Sequence, residues 1–429
     1  MEKNYFRHYL LRCSYCGSVT EDDGYILHCG SCISPSLLVS DYEAKEFTIS
    51  ENEGGIFRYR AWLPIQRSIR GSSRPHIYQS LRLSNLLGLK NLWIAFSGNW
   101  PERNIRFATG TFKELEAYCV VGRIPNVQKV LVISSAGNTA AAFANVCSLA
   151  NVPCLIVVPE YGLPGIRLRF SIAPWVRFVC ITERADYLDA IRLGNRIGEL
   201  PGFFLEGGTR NVARRGGLGT VMLSAFEAMG KLPEYYFQAI GSGAGAIAVH
   251  ESSRHVSSGK SRVPRLFLSQ NEPFTPVLNA WRSGRREWKL PDEVTSKRQI
   301  QQIFAKTLSN RLPAYSEYGG LFDALKESEG ELLSVTNEQA MAAGKMFREL
   351  EGIHVEPAAS VAFASLLDSL EKRKVPRTAT VLLNITGGVS VSVARQVSKR
   401  LDPDLWVRTA EIESEITWRR IAGLFDHQL

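Results

Sequence analysis

The strongest constraint on the fold is a regular alternation of strands and helices that begins near Trp62. The strand-like runs KVLVISS (129–135) and PCLIVVP (153–159) flank the helical run AAAFANVCSLA (140–150). Nearly continuous apolar runs of this length are typical of strands that are covered on both faces, as in parallel sheets. Further strand-like runs continue the rhythm at residues 176–181, 235–241, 265–270 and 380–388. The sequence therefore predicts an α/β protein whose parallel sheets are covered by helices.

The composition restricts the class of protein. The chain has 429 residues, enough for two or three packed units, and its 45% apolar and 22% charged residues are ordinary for a globular protein. We find no apolar run long enough to cross a membrane and no signal peptide at the start, so we expect a cytoplasmic protein. The net charge of +9 is spread along the chain, with clusters at 58–74 and 210–215. This distribution favours small anionic substrates, and we expect neither nucleic acid nor membrane as a partner.

Two C-x-x-C pairs occur near the N-terminus, Cys13 with Cys16 and Cys29 with Cys32. Four thiolates arranged as two such pairs can surround one tetrahedral zinc ion, so the spacing predicts a small metal-binding module. The alternatives are reduced structural cysteines without metal, or a transient redox pair. A measurement of metal content separates these possibilities.

The segment GTFKELEAY (110–118) places Lys113 at the start of a predicted helix. The helix dipole and partial burial would both lower the pKa of a lysine in this position. A deprotonated amine is the form that attacks a carbonyl carbon to give a Schiff base. The alternative is a solvated surface lysine beside two glutamates.

The segment ISSAGNTA (133–140) is a turn of small residues between a strand and a helix. Its backbone amides and the helix dipole suit a carboxylate, so we expect Ser135, Gly137 and Thr139 to bind the substrate. The amide of Asn138 could donate to a ring hydroxyl. A plain Gly-Asn turn is the alternative.

Two later segments complete the set of candidate motifs. In AIGSGAGAIAVHE (239–251), a glycine-rich turn joins a strand to a helix and suits a phosphate group, through Gly241, Ser242, Gly243, Ala244 and Gly245. The turn lacks the Gly-Lys-Thr of a P-loop and a convincing dinucleotide fingerprint, which favours a monophosphate. In LLNITGGVS (382–390), Thr386 follows a strand and could meet a pyridine nitrogen.

Taken in order along the chain, these four motifs resemble those of the fold-type II pyridoxal-phosphate enzymes, the tryptophan-synthase-β and threonine-synthase group. The resemblance covers roughly residues 55–390. It implies that Lys113 bonds to the cofactor and that Asn138 meets the ring hydroxyl. It also implies that Gly241 to Gly245 hold the phosphate and that Thr386 faces the pyridine nitrogen.

The same resemblance implies two open twisted α/β domains with the cofactor in the cleft between them. We assign residues 1–40 to a zinc-ribbon-like module of the kind seen in some threonine synthases. Residues 41–118 and 206–429 would form the large cofactor-binding domain, and residues 119–205 a smaller inserted α/β domain. We expect a homo-oligomer.

More closely, four segments are similar to the cysteate synthase branch of this family: TFKELEA, SAGNTAAAFA, EGGTRNVARRGGLGTVML (206–223) and YFQAIGSGAGAIA. Such enzymes join O-phosphoserine and sulfite to give cysteate and phosphate, toward coenzyme M. Arg210, Arg214 and Arg215 would then bind the anionic substrates; the alternative is a solvated helix start or salt bridges to nearby acids.

Two other functions remain open from the sequence. The chain could be a threonine synthase or another enzyme that replaces or eliminates the phosphate of an O-phospho-amino acid. It could also be a binding protein without catalysis, built on a degenerate scaffold of the same fold.

Overall fold

The computed structural model describes residues 8–125, 129–135, 137–166, 168–257, 262–395 and 401–426. The strands in these residues are β1 (Tyr9–Cys13), β2 (Val19–Thr20), β3 (Leu38–Tyr42), β4 (His76–Gln79), β5 (Asn91–Phe96), β6 (Asn99–Trp100), β7 (Ile105–Arg106), β8 (Val130–Ser134), β9 (Cys154–Pro159), β10 (Val176–Ile181), β11 (Phe203–Leu205), β12 (Tyr235–Ala239), β13 (Arg265–Asn271), β14 (Glu331–Val335), β15 (Ile353–Val355), β16 (Thr380–Ile385), β17 (Gly388–Ser390) and β18 (Leu405–Val407). The helices are α1 (Leu81–Leu87), α2 (Lys113–Arg123), α3 (Asn138–Ala150), α4 (Tyr187–Gly198), α5 (Val212–Met229), α6 (Ala244–Ser257), α7 (Pro276–Arg282), α8 (Glu293–Gln302), α9 (Leu321–Glu327), α10 (Asn337–Glu351), α11 (Pro357–Glu371), α12 (Val391–Ala394) and α13 (Glu415–Ala422).

The larger sheet has six strands in the order β14-β13-β12-β16-β5-β4. Its neighbouring strands are parallel except for β4, which runs antiparallel to β5 at one edge. Strands β12 and β16 are buried along their whole length, and α11 packs against both of them. The alternation in the sequence therefore predicted this layered architecture correctly, because strands covered on both faces carry continuous apolar runs.

The smaller sheet has five parallel strands in the order β11-β8-β9-β10-β18. Its last strand comes from the C-terminus, where Leu405–Val407 pair with β10. Val407, Ile421 and Phe425 pack into the same apolar cluster as Val130 and Val157 of this sheet. The boundary 206–429 that we expected for the large domain differs from this arrangement, since Leu405–Val407, Ile421 and Phe425 lie with the smaller sheet.

The N-terminal module is a three-stranded antiparallel sheet in the order β2-β1-β3. Side chains of β1 alternate between buried and exposed, so Tyr9, Leu11 and Cys13 face the rest of the protein. The sheet extends to Tyr42, slightly beyond the predicted module of residues 1–40; residues 1–7 lie outside the described part of the chain.

A fourth sheet, in the order β15-β17-β6-β7, lies close to the turn that precedes α2, where the backbone N–H of Gly388 donates to the carbonyl of Gly110. Among the described residues, the helices are all too short or too polar to cross a membrane.

A buried ion pair joins the N-terminal module to the core. Asp22 and Arg123 are both fully buried, and their side chains form two hydrogen bonds of 2.8 and 2.9 Å. The hydroxyl of Tyr9 donates to the same carboxylate at 2.6 Å. Arg123 also donates to the side chain of Asn211 (3.0 Å) and to the carbonyl of Ile26 (2.7 Å). The pair therefore fixes the module to the end of α2.

We predict that Asp22→Ala destabilises the protein strongly, because it leaves the guanidinium of Arg123 buried without its carboxylate. The expected loss in the free energy of unfolding is about 3–5 kcal/mol, measured by chemical denaturation. Asp41→Ala is the matched control: it breaks the Arg12–Asp41 pair, whose side chains are 47% and 38% exposed. It should cost about 0–1 kcal/mol. Equal losses in the two variants would contradict this account.

Candidate active site

The four motifs predicted from the sequence meet in one cleft. Its lining includes Lys113, the turn at Gly137 to Thr139, the glycine-rich loop at Gly241 to Gly245, and Thr386. These residues follow the ends of β8, β12 and β16 or begin a helix. Strands β12 and β16 are neighbours in the larger sheet, and β8 belongs to the smaller sheet. The carboxyl ends of the parallel strands in a sheet lie at one edge, and the cleft is lined from such edges of both sheets.

Lys113 is the first residue of α2, and its side chain is 21% exposed at the cleft. Its Nζ donates to Oε2 of Glu116, one helical turn further on, at 3.1 Å. Burial lowers the pKa of Lys113, and the neighbouring Glu116 carboxylate opposes that effect. The expected decrease in pKa is thus present.

The turn before Lys113 is fastened to the last motif. The backbone N–H of Phe112 donates to the carbonyl of Thr386 at 2.8 Å. Thr386 directly follows β16 and is 7% exposed at the cleft. This contact sets Lys113 and Thr386 side by side although 273 positions separate them in the sequence (386 − 113).

The glycine-rich loop is shaped by close backbone contacts. A Cβ atom at Gly245 would lie 2.6 Å from Nε2 of Gln238, and one at Gly241 would lie 3.1 Å from the carbonyl oxygen of Thr307. Gly243 has a φ of +80°, in the left-handed region that favours glycine. The loop leads into α6, a helix of 14 residues. The amides at its start form a cradle that is suited to an anion.

The turn at 133–140 is held by Ser135, whose Oγ accepts hydrogen bonds from the N–H groups of Gly137 (3.1 Å) and Ala140 (2.9 Å). Asn138 is the first residue of α3 and lines the cleft. The hydroxyl of Thr139 donates to Oε1 of Glu116 at 2.9 Å. Thr139 therefore supports a buried carboxylate, a role that differs from the direct substrate contact expected from the sequence.

The three arginines predicted to bind anions have different surroundings. Arg214 lines the cleft, but its guanidinium binds Glu206 (2.8 and 2.5 Å) and Glu116 (2.7 Å). Arg215 points away from the cleft, toward Glu251 and the backbone carbonyls of Leu38 and Thr209.

The salt bridges that the sequence left as an alternative are therefore present for Arg214 and Arg215. Binding of a substrate anion requires a guanidinium directed at the ligand, and both of these guanidiniums are directed at protein carboxylates. Arg210 is exposed and lines an adjoining cavity of about 200 Å³ together with His28. A direct role in anion binding remains a prediction for Arg210.

Two buried glutamates of the site, Glu116 and Glu206, were missed in the sequence. For Glu116 a signal existed: residues three apart on a helix share one face, so Glu116 was placed to reach Lys113. For Glu206 the sequence offered no comparable signal, because Glu206 precedes α5. It meets Arg214 of that helix only through the fold of the intervening loop.

The four N-terminal cysteines converge as predicted. Their sulfur atoms all lie within 4.8 Å of one another, with Sγ–Sγ distances of 3.8 Å for Cys13 and Cys32 and 3.7 Å for Cys16 and Cys29. A zinc ion with Zn–S bonds of about 2.3 Å separates its ligands by about 3.8 Å in a regular tetrahedron. The cluster therefore has the dimensions of a four-cysteine zinc site.

The family model described as "Pyridoxal-phosphate dependent enzyme" matches residues 77–387. The chain belongs to this family. Two relatives described as cysteate synthase share 43% identity over 386 residues (Methanocorpusculum labreanum) and 41% over 415 residues (Methanosarcina acetivorans). The first alignment covers 89% of this chain and 92% of the relative, and the second covers 95% and 96%. The resemblance to the cysteate synthase branch is thereby confirmed.

Solved structures of pyridoxal-phosphate enzymes show the same fold. Maize serine racemase has a TM-score of 0.56 at 16% identity, covering 82% of this chain and 93% of its own. Threonine synthase from Escherichia coli has a TM-score of 0.58 at 14% identity, covering 78% and 79%. The predicted fold-type II architecture is therefore correct.

The cleft fits pyridoxal phosphate. The cradle at Gly241 to Gly245 would hold the phosphate, because its glycines let the backbone pack closely against Gln238 and Thr307 and the loop ends at the start of α6. Lys113 presents an amine whose pKa is lowered by burial, as covalent attachment of the cofactor requires. Asn138 and Thr386 line the same cleft and would meet the ring.

The buried side chain of Glu114, next to Lys113, predicts how the stability of the protein depends on pH. Its buried carboxylate accepts from the N–H (2.5 Å) and the hydroxyl (2.7 Å) of Thr109, and burial raises its pKa from 4.5 to about 7. Between these values the folded protein binds more protons than the unfolded chain, so the free energy of unfolding should fall as the pH rises from 4.5 to about 7. This group contributes about 3 kcal/mol of that fall.

Glu114→Gln should remove this contribution and flatten the pH dependence, as measured by urea denaturation at a series of pH values. Glu199→Gln, a substitution of a glutamate whose side chain is 69% exposed, should retain the wild-type dependence. A Glu114→Gln variant with the wild-type slope would show that burial does not raise the pKa of Glu114 in the folded protein.

Proposed function

We propose that the protein joins O-phosphoserine and sulfite to give cysteate and phosphate. The observation that carries this proposal is the similarity to cysteate synthases, at 40–43% identity over most of the chain, together with a cleft that fits the cofactor. Small anionic metabolites as substrates agree with the cytoplasmic location expected from the sequence. Homo-oligomer formation stays a prediction.

The cofactor, when bound, withdraws electrons from the substrate and so makes its Cα proton acidic. Nζ of Lys113 lies at the cleft and would take up this proton after transfer of the cofactor to the substrate amine. Thr386 lines the same cleft and would present a neutral hydroxyl to the ring nitrogen. A hydroxyl could not keep that nitrogen protonated as an aspartate would. Such a site suits replacement at Cβ, in which the departing phosphate accepts the electrons.

The amides of Asn138 and Thr139 would receive the substrate carboxylate, since these residues begin α3 and line the same cleft. Of the three arginines predicted to bind anions, Arg210 lines the adjoining cavity with an exposed side chain and would contact an anionic substrate there. Arg214 would act indirectly, by holding Glu116 beside Lys113.

We also propose that Cys13, Cys16, Cys29 and Cys32 bind one structural zinc ion. The Sγ–Sγ distances of 3.8 and 3.7 Å and the separation of at most 4.8 Å among the four thiols support this assignment. Four thiolates form the closed coordination shell that is typical of structural sites.

The activity is tested by incubating the protein, loaded with pyridoxal phosphate, with O-phosphoserine and sulfite. We expect phosphate release and cysteate, measured by mass spectrometry. Lys113→Ala should lower the rate by about 10²–10⁴-fold or more, the range that a general base contributes. Lys90→Ala, at an exposed position, is the control and should keep the wild-type rate.

Two outcomes would contradict the proposed reaction. Phosphate release from O-phosphohomoserine alone would reject cysteate synthesis in favour of a threonine-synthase activity. A protein that remains colourless with pyridoxal phosphate and releases phosphate from neither compound would favour a binding protein on the same scaffold.

The zinc assignment predicts one zinc ion per chain by elemental analysis of the purified protein. Cys29→Ser should lose most of this zinc, because it removes one of four ligands, whereas Cys180→Ala, a substitution of a buried cysteine outside the cluster, should retain it. Wild-type protein that contains no zinc after expression with added zinc would instead support metal-free cysteines.

A further inference from the structure

The carboxylate of Glu116 lies in a fully buried position beside the reactive amine. Its side chain has 0% exposure and contacts Nζ of Lys113 (3.1 Å), Nη1 of Arg214 (2.7 Å) and Oγ1 of Thr139 (2.9 Å). These three partners come from the starts of α2, α5 and α3. The carboxylate is thus held from three directions.

Arg214 cannot turn toward a ligand without leaving this arrangement. Its Nε and Nη2 bind both oxygens of Glu206, at 2.8 and 2.5 Å, while Nη1 binds Glu116. Oε2 of Glu206 also accepts from the N–H of Gly208 at 2.9 Å. The bidentate pair therefore gives Arg214 one orientation, and Arg214 gives Glu116 one orientation.

The charges of this cluster depend on the state of the amine. With Lys113 protonated, two cations (Lys113 and Arg214) balance two carboxylates (Glu116 and Glu206). With Lys113 neutral, one negative charge is in excess in a buried environment. Buried unbalanced charge is costly, so the cluster favours uptake of a proton by the amine.

We infer that Glu116 is a positioning residue for Lys113: its carboxylate, held by Arg214 and Thr139, directs Nζ and retains the proton that Lys113 takes from the substrate. This inference rests on the proposed function in one respect, namely that Lys113 is the lysine to which the cofactor is attached. In the reaction, the Cα–H bond breaks and an N–H bond forms at Nζ. The same proton returns to Cα when the product is completed, so the exchange is balanced.

The opposing effects of burial and charge support this role. Burial lowers the pKa of the Lys113 amine, and Glu116 raises it. Burial alone would raise the pKa of Glu116, but the charges of Arg214 and Lys113 outweigh burial and lower it. Glu116 therefore remains ionised, and it makes Lys113 a stronger base than burial alone would allow.

The test uses the cofactor-free protein and pyridoxal phosphate, without any substrate. The rate of covalent attachment is followed by visible absorbance over a range of pH. The pH at which this rate is half-maximal is the midpoint, and it reports the protonation of Lys113. In Glu116→Gln, we expect this midpoint to fall by about one to three pH units, the usual effect of a nearby opposite charge. Attachment at neutral pH should then be faster than in the wild type, while turnover with substrates should be slower.

This opposite change in the two rates separates positioning from a loss of structure, which would slow both. Glu251→Gln is the matched control, since Glu251 is the carboxylate paired with the adjacent Arg215 and faces away from the cleft. Its midpoint should equal that of the wild type. If Glu116→Gln does not fold, Glu116→Asp is the second variant. Its shorter side chain keeps the carboxylate but places it further from Nζ of Lys113, so the midpoint should shift less, in the same direction.

An unchanged midpoint in a folded Glu116 variant would overturn the inference. The outcome is distinguishable from a failure of the proposed function, because attachment of pyridoxal phosphate requires neither O-phosphoserine nor sulfite. A normal shift with no turnover of these substrates would reject the proposed reaction and leave the role of Glu116 intact.

Discussion

The ion pair between Arg214 and Glu116 is the interaction on which the geometry of the site depends. Glu116 is completely buried, and a charged carboxylate in that position is stable only because cations and a hydroxyl surround it. Lys113 lies on the same helix as Glu116, while Thr139 and Arg214 come from the starts of α3 and α5. The need to neutralise one buried charge therefore fixes the positions of these helix starts relative to one another. The same requirement positions the reactive amine of Lys113.

The N-terminal module is connected to this arrangement. Arg123 lies at the end of α2, the helix that Lys113 begins, and binds both Asp22 of the module and Asn211. Asn211 caps α5 through the N–H of Ala213 (2.9 Å) and donates to the carbonyl of Glu206 at 2.7 Å. The module thus contacts both helices that supply the charge cluster, which gives a four-cysteine site at the N-terminus a structural connection to the cleft.

Much of the fold could be predicted from local patterns in the sequence. Continuous apolar runs identified the buried parallel strands, and the glycine-rich turn at 241–245 marked a helix start that can receive an anion. The strand Leu405–Val407 could not be recognised, because three residues carry too little pattern and its pairing with β10 is set by tertiary contacts. The order of the motifs along the chain carried the family resemblance, and the structure brings the motifs together at the edges of the two larger sheets.

The side-chain partners were harder to predict than the elements. Arg214 and Arg215 are adjacent and chemically identical, so their different partners could not be told apart from the sequence. On a helix, successive residues point about 100° apart, and this places Arg214 over Glu116 and Arg215 over Glu251. The rotation of α5 about its axis determines which of the two arginines reaches the cleft. This rotation is set by the packing of the helix.

The central claim, that Lys113 carries the cofactor in this cleft, is tested most directly by chemical trapping. The protein is loaded with pyridoxal phosphate, reduced with borohydride, digested and analysed by mass spectrometry. The account predicts a phosphopyridoxyl group on the peptide that contains Lys113. A modified peptide that contains another lysine, or the absence of any modified peptide from a folded and loaded protein, would contradict it.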